Sequence, residues 1–194
     1  MDGYYDHHPL VHLDRHVAIA GLIGDETRTI GYRLAALTGL PVMDVDRSIE
    51  HTAGMSVWNL IWKETEARYR ELEREHLERA LTSRPLGIIT LGDGTLIDED
   101  NRRTVLESAD LVSLELDLPN CYWRLKTRPT AEMDFWHPLH AGPLERFDQV
   151  KPYVERRLPG LESAPHRIQI RGKDKGVIVD ELRRLVETLS AQTA

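Results

Sequence analysis

The sequence contains a single cysteine, Cys121, and no cysteine and histidine residues at the spacing of a zinc site. An internal disulfide is therefore excluded, and the composition fits a reducing cytoplasm. The chain also lacks any apolar run near the roughly 18 residues of a membrane-spanning helix. Its first residues lack the basic and apolar regions of a secretory signal. We therefore expect a cytoplasmic protein that does not contact membranes.

Positive charge is scarcer than negative charge. The 25 lysines and arginines stand against 32 aspartates and glutamates, which gives a formal net charge of -7. This balance disfavours a nucleic-acid binder or a protein that binds anionic membranes. The 194 residues suit one domain with a sizeable core. A small soluble ligand is the expected partner, with a protein partner as the alternative.

Short apolar runs alternate with helical patterns along most of the chain. The runs are "HVAIAG", "PVMDV", "LGIITL", "DLVSLEL" and "HRIQI", and they suit the buried strands of a parallel sheet. Helical patterns occupy "RTIGYRLAALTG", residues 64–81 and residues 173–189. The prediction is an α/β fold in three layers, a parallel sheet flanked by helices, with ligands at the carboxyl ends of its strands.

Two segments do not follow this alternation. Residues 1–14 have no periodicity and are interpreted as an N-terminal extension, which leaves residues 15–194 as a single domain. Residues 126–147 contain several prolines and also lack periodicity. A long irregular segment in a compact domain is often a binding loop, so we predict a lid there.

The stretch "GLIGDETRTIG" follows the first strand and begins like a phosphate-binding loop. A turn from strand to helix favours an anion through its backbone N–H groups and the helix dipole. Asp25 and Glu26 nevertheless bring negative charge to this turn, with Arg28 in compensation. The loss of one charge-assisted contact costs about 1.5–3 kcal/mol. We therefore expect no cofactor here, and tight binding of ATP with magnesium is predicted to be improbable.

Carboxylates and glycines follow two further strands. In "MDVD", strand alternation would place Asp44 and Asp46 on one side, where they could hold a metal, act as an acid/base pair or bind hydroxyl groups. Either aspartate could instead cap a helix. In "TLGDGT", Gly92 and Gly94 would let the backbone approach a ligand closely, and Asp93 adds a carboxylate.

Arginines provide the complementary charge. A guanidinium group can hold a carboxylate through two parallel hydrogen bonds. Each arginine taken alone is also compatible with a solvated helix face. The candidates are Arg70, Arg128 and Arg157.

Taken in order, these segments resemble the shikimate kinase family over residues 16–189. The matching stretches are "GLIGDETRTIGYRLAALTGLPVMDVD", "IEHTAGMSVWNLIW", "EARYRELERE", "TLGDGT", "RP" and "ERRLP". The resemblance implies a fold like that of the P-loop nucleoside-monophosphate kinases, with a lid. It also implies phosphorylation of the 3-hydroxyl of shikimate by ATP, with magnesium near the loop.

The resemblance also implies roles on the substrate side. Asp46 matches the aspartate that binds the ring hydroxyls and serves as base. Arg70 and Arg157 match the arginines that hold the substrate carboxylate, and Glu73 matches the acid that steadies the first of them. The glycines that would line the pocket with backbone are Gly92 and Gly94.

Three further positions match the nucleotide side of the family. Arg128 matches the lid arginine that reaches the transferred phosphoryl group, and Asp44 matches the aspartate associated with magnesium, so it is the metal candidate. Arg124 would lie near the adenine. The phosphate loop keeps the family pattern at Gly21, Gly24 and Thr29.

The departures from the family pattern concentrate in the same loop. Thr27 stands where the family has its phosphate-binding lysine, Arg28 where it has a hydroxyl residue, and Glu26 where it has a glycine. Asp93 replaces the middle glycine of the substrate loop. The pattern therefore predicts a pocket that keeps the residues that bind substrate and lacks those that bind phosphate.

Three hypotheses follow from this pattern. The first is an enzyme that binds a shikimate-type cyclic polyol carboxylate and performs acid/base chemistry as a lyase, dehydratase or isomerase. Its catalytic groups would be drawn from the crowded carboxylates, whose pKa values separate. The second is a non-catalytic pseudokinase that senses a metabolite or joins a partner subunit. The third is a residual shikimate kinase that contacts phosphate through Arg28. The catalytic candidates are Asp25, Glu26, Asp46 and Asp93.

Overall fold

The computed structural model describes residues 11–22, 24–126 and 147–191. The predicted lid lies outside these ranges except at its two ends, and so do the first ten residues of the predicted extension. Val11 and Leu13 pack against the edge of the core. Within the described ranges, no helix combines the length and apolar character needed to cross a membrane.

Five parallel strands form one sheet in the order β2-β3-β1-β4-β5. The prediction of a parallel α/β sheet is confirmed. Each strand lies within or beside one of the apolar runs of the sequence, because both faces of the sheet are covered. The strands are β1 (His16–Gly21), β2 (Val42–Asp44), β3 (Ile88–Thr90), β4 (Ala109–Glu115) and β5 (His166–Gln169).

Helices connect and flank these strands. The described helices are α1 (Gly24–Thr38), α2 (Val45–Ala53), α3 (Val57–Lys63), α4 (Glu66–Thr82), α5 (Glu99–Ser108), α6 (Leu118–Lys126), α7 (Lys151–Glu162) and α8 (Lys175–Ala191). α1 packs against α8, whereas α5 and α7 pack against β4. α2, α3 and α4 pack on one another beyond the end of β2. Short 3-10 turns occupy Thr95–Ile97 and Phe147–Gln149.

The predicted second strand is two residues too long. β2 ends at Asp44, whose side chain accepts a hydrogen bond from the backbone N–H of Arg47 and so begins α2. Asp46 consequently lies in the first turn of α2. The prediction that strand alternation places Asp44 and Asp46 on one side is therefore wrong, because the helix cap ends the strand before the second aspartate.

A glycine fixes α7 against the segment that follows β3. A Cβ atom on Gly160 would lie 2.5 Å from the backbone oxygen of Leu96. The helix and the 3-10 turn can therefore pack at this distance only without a side chain at this position. The same helix carries Tyr153 and Arg157, so the contact also sets how far these side chains lie from the loop after β3.

Gly160→Ala is expected to lower the free energy of unfolding by about 1–3 kcal/mol, the cost of overpacking a core contact. In a helix that packed on nothing, the same change would add about 0.5–1 kcal/mol. The two effects have opposite signs, so denaturation by urea separates them. A variant that is as stable as the parent protein, or more stable, would contradict the packing role of Gly160.

Candidate active site

The candidate site lies at the carboxyl ends of β1, β2 and β3, the edge that α/β folds commonly use for ligands. β1 leads into the phosphate-loop segment, β2 into the aspartates, and β3 into Gly92–Gly94 by sequence position. α4 adds side chains from one side and α7 from the other. The site therefore depends on five elements that are far apart in the sequence.

Asp46 takes part in a buried hydrogen-bonded cluster. The hydroxyl of Tyr69 lies 2.8 Å from Asp46 Oδ1 and 3.1 Å from Glu73 Oε1, and Thr95 donates to the same Glu73 oxygen at 2.7 Å. Burial raises the pKa of Asp46 to about 7, and the negative charges of Glu73 and Asp44 add to this effect. The hydrogen bond from Tyr69 acts in the opposite direction. Asp46 is thus poised to exchange a proton near neutral pH.

Arg70 is held by two carboxylates of its own helix. Its Nη1 donates to Glu73 Oε2 at 2.7 Å, and its Nη2 donates to Glu66 Oε1 at 3.3 Å. Burial opposes its charge, but Glu73 and Tyr69 outweigh burial and raise the pKa of Arg70. A Cβ atom on Gly94 would lie 2.5 Å from Arg70 Nη2, so this arrangement requires the glycine.

Gly92 makes room for the cluster around Asp46 in a similar way. A Cβ atom there would lie 2.9 Å from Asp46 Oδ1 and 3.0 Å from Glu73 Oε1. Such contacts are shorter than carbon and oxygen tolerate, so a larger residue would push the carboxylates apart. The two glycines of "GDG" therefore bring backbone against the charged groups of α2 and α4.

Arg157 is buried, with 3% of its surface exposed. Its guanidinium lies over the ring of Tyr153, 3.5 Å from the centroid, and its Nη1 donates to the backbone oxygen of Tyr153 at 3.1 Å. Its Nε and Nη2 are buried and have no hydrogen-bond partner in the described part of the chain. A carboxylate oxygen, Asp93 Oδ1, lies 3.6 Å from Nη2. Buried donors usually have a hydrogen-bond partner, and for these two guanidinium nitrogens an anionic ligand is a chemically suitable one.

Tyr153 connects the loop after β3 with the loop after β1. Its hydroxyl contacts Asp93 Oδ2 and lies 3.1 Å from the backbone oxygen of Leu22. Burial, followed by the charge of Asp93, raises the pKa of Tyr153 well above its ordinary value. The hydroxyl therefore stays protonated and can donate a hydrogen bond.

The two charged residues of the phosphate-loop segment that the structure describes are both paired. Glu26 Oε1 accepts a hydrogen bond from Arg124 Nη1 at 2.5 Å, and Arg28 Nε donates to Asp44 Oδ2 at 2.7 Å. Thr27 is buried, and a Cβ atom on Gly21 would lie 2.8 Å from its hydroxyl.

Asp44 is the predicted metal candidate, and both of its oxygens are engaged. Oδ1 accepts from the backbone N–H of Arg47 at 3.0 Å, and Oδ2 accepts from Arg28. Among the residues that the structure describes, no group of three histidine, cysteine, aspartate or glutamate side chains could hold a metal ion. Asp44 in this arrangement does not fit a direct metal ligand.

The remaining predicted residues are placed as follows. The backbone of Gly24 and Asp25 begins α1, but the side chain of Asp25 lies outside the described part of the chain. Thr29 lies in the same helix. Arg128 falls outside the described residues. Arg124, predicted near the adenine, also donates to the backbone oxygen of Ile170 at 3.2 Å.

Sequence reasoning missed Tyr69, Thr95 and Tyr153. Tyr69 lies four residues before Glu73, and Tyr153 lies four residues before Arg157, so each pair shares a helix face. The spacing to a charged residue is therefore a usable signal for both tyrosines. Tyrosines at such positions serve equally well as apolar packing, so the signal did not distinguish them from core residues.

A family profile and several sequence relatives point to one family. A family profile described as shikimate kinase matches residues 27–187. The shikimate kinase of Salinibacter ruber is 33% identical over 181 residues, which cover 91% of this chain and 85% of that protein. The shikimate kinase of Chlorobium limicola is 32% identical over 183 residues, 93% of this chain and 87% of that protein.

Solved structures show the same fold. The shikimate kinase of Acinetobacter baumannii in complex with shikimate has a TM-score of 0.77 at 21% identity, covering 90% of this chain and 93% of that chain. The shikimate kinase of Bacteroides thetaiotaomicron has a TM-score of 0.74 at 23% identity, covering 89% and 98%. The predicted P-loop kinase fold is confirmed.

These matches also correct the functional hypotheses. The predictions of a lyase, dehydratase or isomerase and of a non-catalytic pseudokinase are wrong, because the relatives are shikimate kinases, which are phosphotransferases. The prediction that ATP and magnesium are improbable is wrong for the same reason. It counted Arg28 as the one compensating cation of the loop, whereas Glu26 is also paired with Arg124. The chain belongs to the shikimate kinase family.

Proposed function

We propose that this protein transfers the terminal phosphoryl group of ATP to a hydroxyl group of shikimate. Membership of the family and relatives that span most of the chain support this activity. The observation that carries it is the buried guanidinium of Arg157, whose Nε and Nη2 lack hydrogen-bond partners among the described residues. These two donors match the two oxygens of a carboxylate. The proposed reaction takes place in the cytoplasm.

Arg70 is the second group that holds the substrate acid. Glu73 fixes its Nη1, and Gly94 allows the loop backbone to lie beside its Nη2. Two arginines on different helices, α4 and α7, would hold the carboxylate from two directions. The ring hydroxyls would then face Asp46, which lies on α2 and shares the hydroxyl of Tyr69 with Glu73.

Asp46 is the proposed general base. The attacking hydroxyl passes its proton to the Asp46 carboxylate as its oxygen forms a bond to the terminal phosphorus of ATP. The bond from that phosphorus to the bridging oxygen breaks, and ADP leaves with the bond's electron pair. A base whose pKa lies near the working pH has a substantial deprotonated fraction and still has a strong driving force for accepting a proton. Burial raises the pKa of Asp46 to about 7.

The phosphates of ATP would approach the start of α1. Backbone N–H groups at a helix start and the helix dipole attract phosphate, which assigns this role to the segment around Gly21 and Gly24. Arg28 and Arg124 are the nearby cations in place of the family lysine, since Thr27 carries no charge. Kinases bind magnesium largely through the substrate phosphates, so the ion would enter as part of the ATP complex.

The test is incubation of the purified protein with shikimate, ATP and magnesium chloride, followed by phosphorus NMR and mass spectrometry. We expect a phosphate monoester of shikimate and one equivalent of ADP. The protein should be produced in a host without its own shikimate kinases, and an Asp46→Asn variant purified in parallel reports any contamination. Consumption of ATP with no phosphorylated shikimate, or no consumption at all, would refute the proposal.

A further inference from the structure

Each of the two arginines in the pocket already has a carboxylate beside it. Arg70 pairs with Glu73, whose side chain is fully buried. Arg157 has Asp93, whose Oδ1 lies 3.6 Å from Nη2. The charge that would attract an acidic ligand is therefore largely balanced before any ligand arrives.

The two pairs differ in geometry. The 2.7 Å contact from Arg70 to Glu73 is a hydrogen bond that uses the donor. At 3.6 Å, Asp93 is too distant to use the Nη2 donor of Arg157, which stays without a hydrogen bond among the described residues. Asp93 thus opposes the charge of Arg157 while the hydrogen-bonding capacity of Nε and Nη2 stays unused among the described residues.

Tyr153 keeps Asp93 in this position. Its hydroxyl contacts Asp93 Oδ2, and its ring lies under the guanidinium of Arg157. The side chain of Asp93 is 13% exposed. A ligand group bound to Nη2 would have its nearest oxygen within roughly 6.5 Å of Asp93 Oδ1, given an ordinary hydrogen-bond length. Two negative charges at such a distance in a partly buried pocket repel one another.

We propose that Asp93 is a specificity-determining residue that weakens binding of a charged carboxylate relative to a neutral group of the same shape. This inference rests on the proposed function, because it assumes that the ligand acid binds Arg157. Asp93 sets the charge preference of the pocket, while Arg70 and the contacts to the ring hydroxyls of the ligand set the shape of ligand that the pocket accepts. Shikimate remains the substrate, and Asp93 is expected to narrow the preference of the pocket for the acid over an uncharged analogue of the same ring.

The test compares two ligands, shikimate and its carboxamide, by calorimetry without ATP. The quantity of interest is the dissociation constant of the amide divided by that of the acid. We expect this ratio to rise about tenfold when Asp93→Asn removes the charge and keeps the shape. Asp93→Gly should raise it similarly, and it serves as the second variant if the asparagine protein is unstable. Asp100→Asn, which removes an exposed carboxylate on α5, should leave the ratio unchanged.

An unchanged or lower ratio in both Asp93 variants would overturn the inference, as would the absence of binding of either ligand to every variant. Binding is measured without ATP, so the result is independent of the proposed reaction. A rise in the ratio without phosphoryl transfer would support Asp93 as the charge selector and refute the kinase activity. Phosphoryl transfer with a constant ratio would support the kinase activity and refute Asp93 as the charge selector.

Discussion

Asp46→Asn is expected to lower kcat by about 100- to 10,000-fold, the usual contribution of a general base. The asparagine keeps the shape of the side chain and can still accept a hydrogen bond from Tyr69, but it cannot take a proton from a hydroxyl group. The KM for shikimate should change much less. Steady-state kinetics over a range of shikimate concentrations separates the two parameters.

The pH dependence gives this prediction a second readout. The base works when it is deprotonated, so kcat/KM of the parent protein should rise with pH through about 7, the pKa that burial gives Asp46. The asparagine variant should lose this rise. A parent profile that is flat between pH 5 and 8 would contradict Asp46 as the base, as would a variant that retains the rise.

Asp46→Asn should raise the stability of the fold at the pH at which it lowers activity. The pKa of Asp46 is raised by folding from 3.8 to about 7, so deprotonation disfavours the folded state. The penalty is absent below the unfolded pKa and grows as pH rises from there towards 7. Asp46→Asn should therefore be more stable than the parent protein at pH 8 and closer to it at pH 4, as thermal unfolding at both pH values can show.

Arg157→Ala is expected to raise the KM for shikimate by about 30- to 5,000-fold, which corresponds to about 2–5 kcal/mol for removal of one partner of a buried charge pair. The ligand carboxylate would lose both donors at once and would face Asp93 without compensation. Arg157→Lys keeps the charge but loses the planar pair of donors, so its KM should lie between the KM of the parent protein and that of the alanine variant. Kinetics at saturating ATP measures the effect.

An exposed arginine of α5 provides a matched control. Arg103 pairs with Asp100 on the surface of that helix, and Arg103→Ala should change the KM less than threefold, in the range of ordinary surface substitutions of roughly 0.5 kcal/mol. Binding of the carboxamide of shikimate distinguishes lost recognition from a collapsed pocket, since this ligand makes less use of the charge. If the alanine variant binds shikimate as tightly as the parent protein does, Arg157 does not contact the ligand.

Much of the sheet could be predicted because parallel strands buried on both faces are short apolar runs. β1 (His16–Gly21) coincides with the run "HVAIAG". The run "PVMDV" continues one residue beyond the end of β2, because the capping role of Asp44 competes with the strand pattern. Strand alternation is a property of the backbone, and it has no force beyond the residue at which a cap begins the next helix.

The charged pairs of the site are less accessible to sequence reasoning. Glu26 and Arg124 are far apart in the sequence, as are Arg28 and Asp44, and no local periodicity indicates that they meet. The sequence of the loop therefore reveals its own charges but not the residues that pair with them. The contact between Arg70 and Glu73 on the substrate side is easier to predict, because these residues lie one helical turn apart.

The central position of β1 has a consequence for synthesis of the chain. Val17 pairs with Ile88 on one side and with Asp110 on the other, so the first strand to leave the ribosome is completed by strands made much later. At 5–20 residues per second, β1 waits roughly 4–14 s for β3 alone. During that interval an apolar strand with two unpaired edges is a template for aggregation. We expect the nascent chain to need a chaperone most between the emergence of β1 and that of β4.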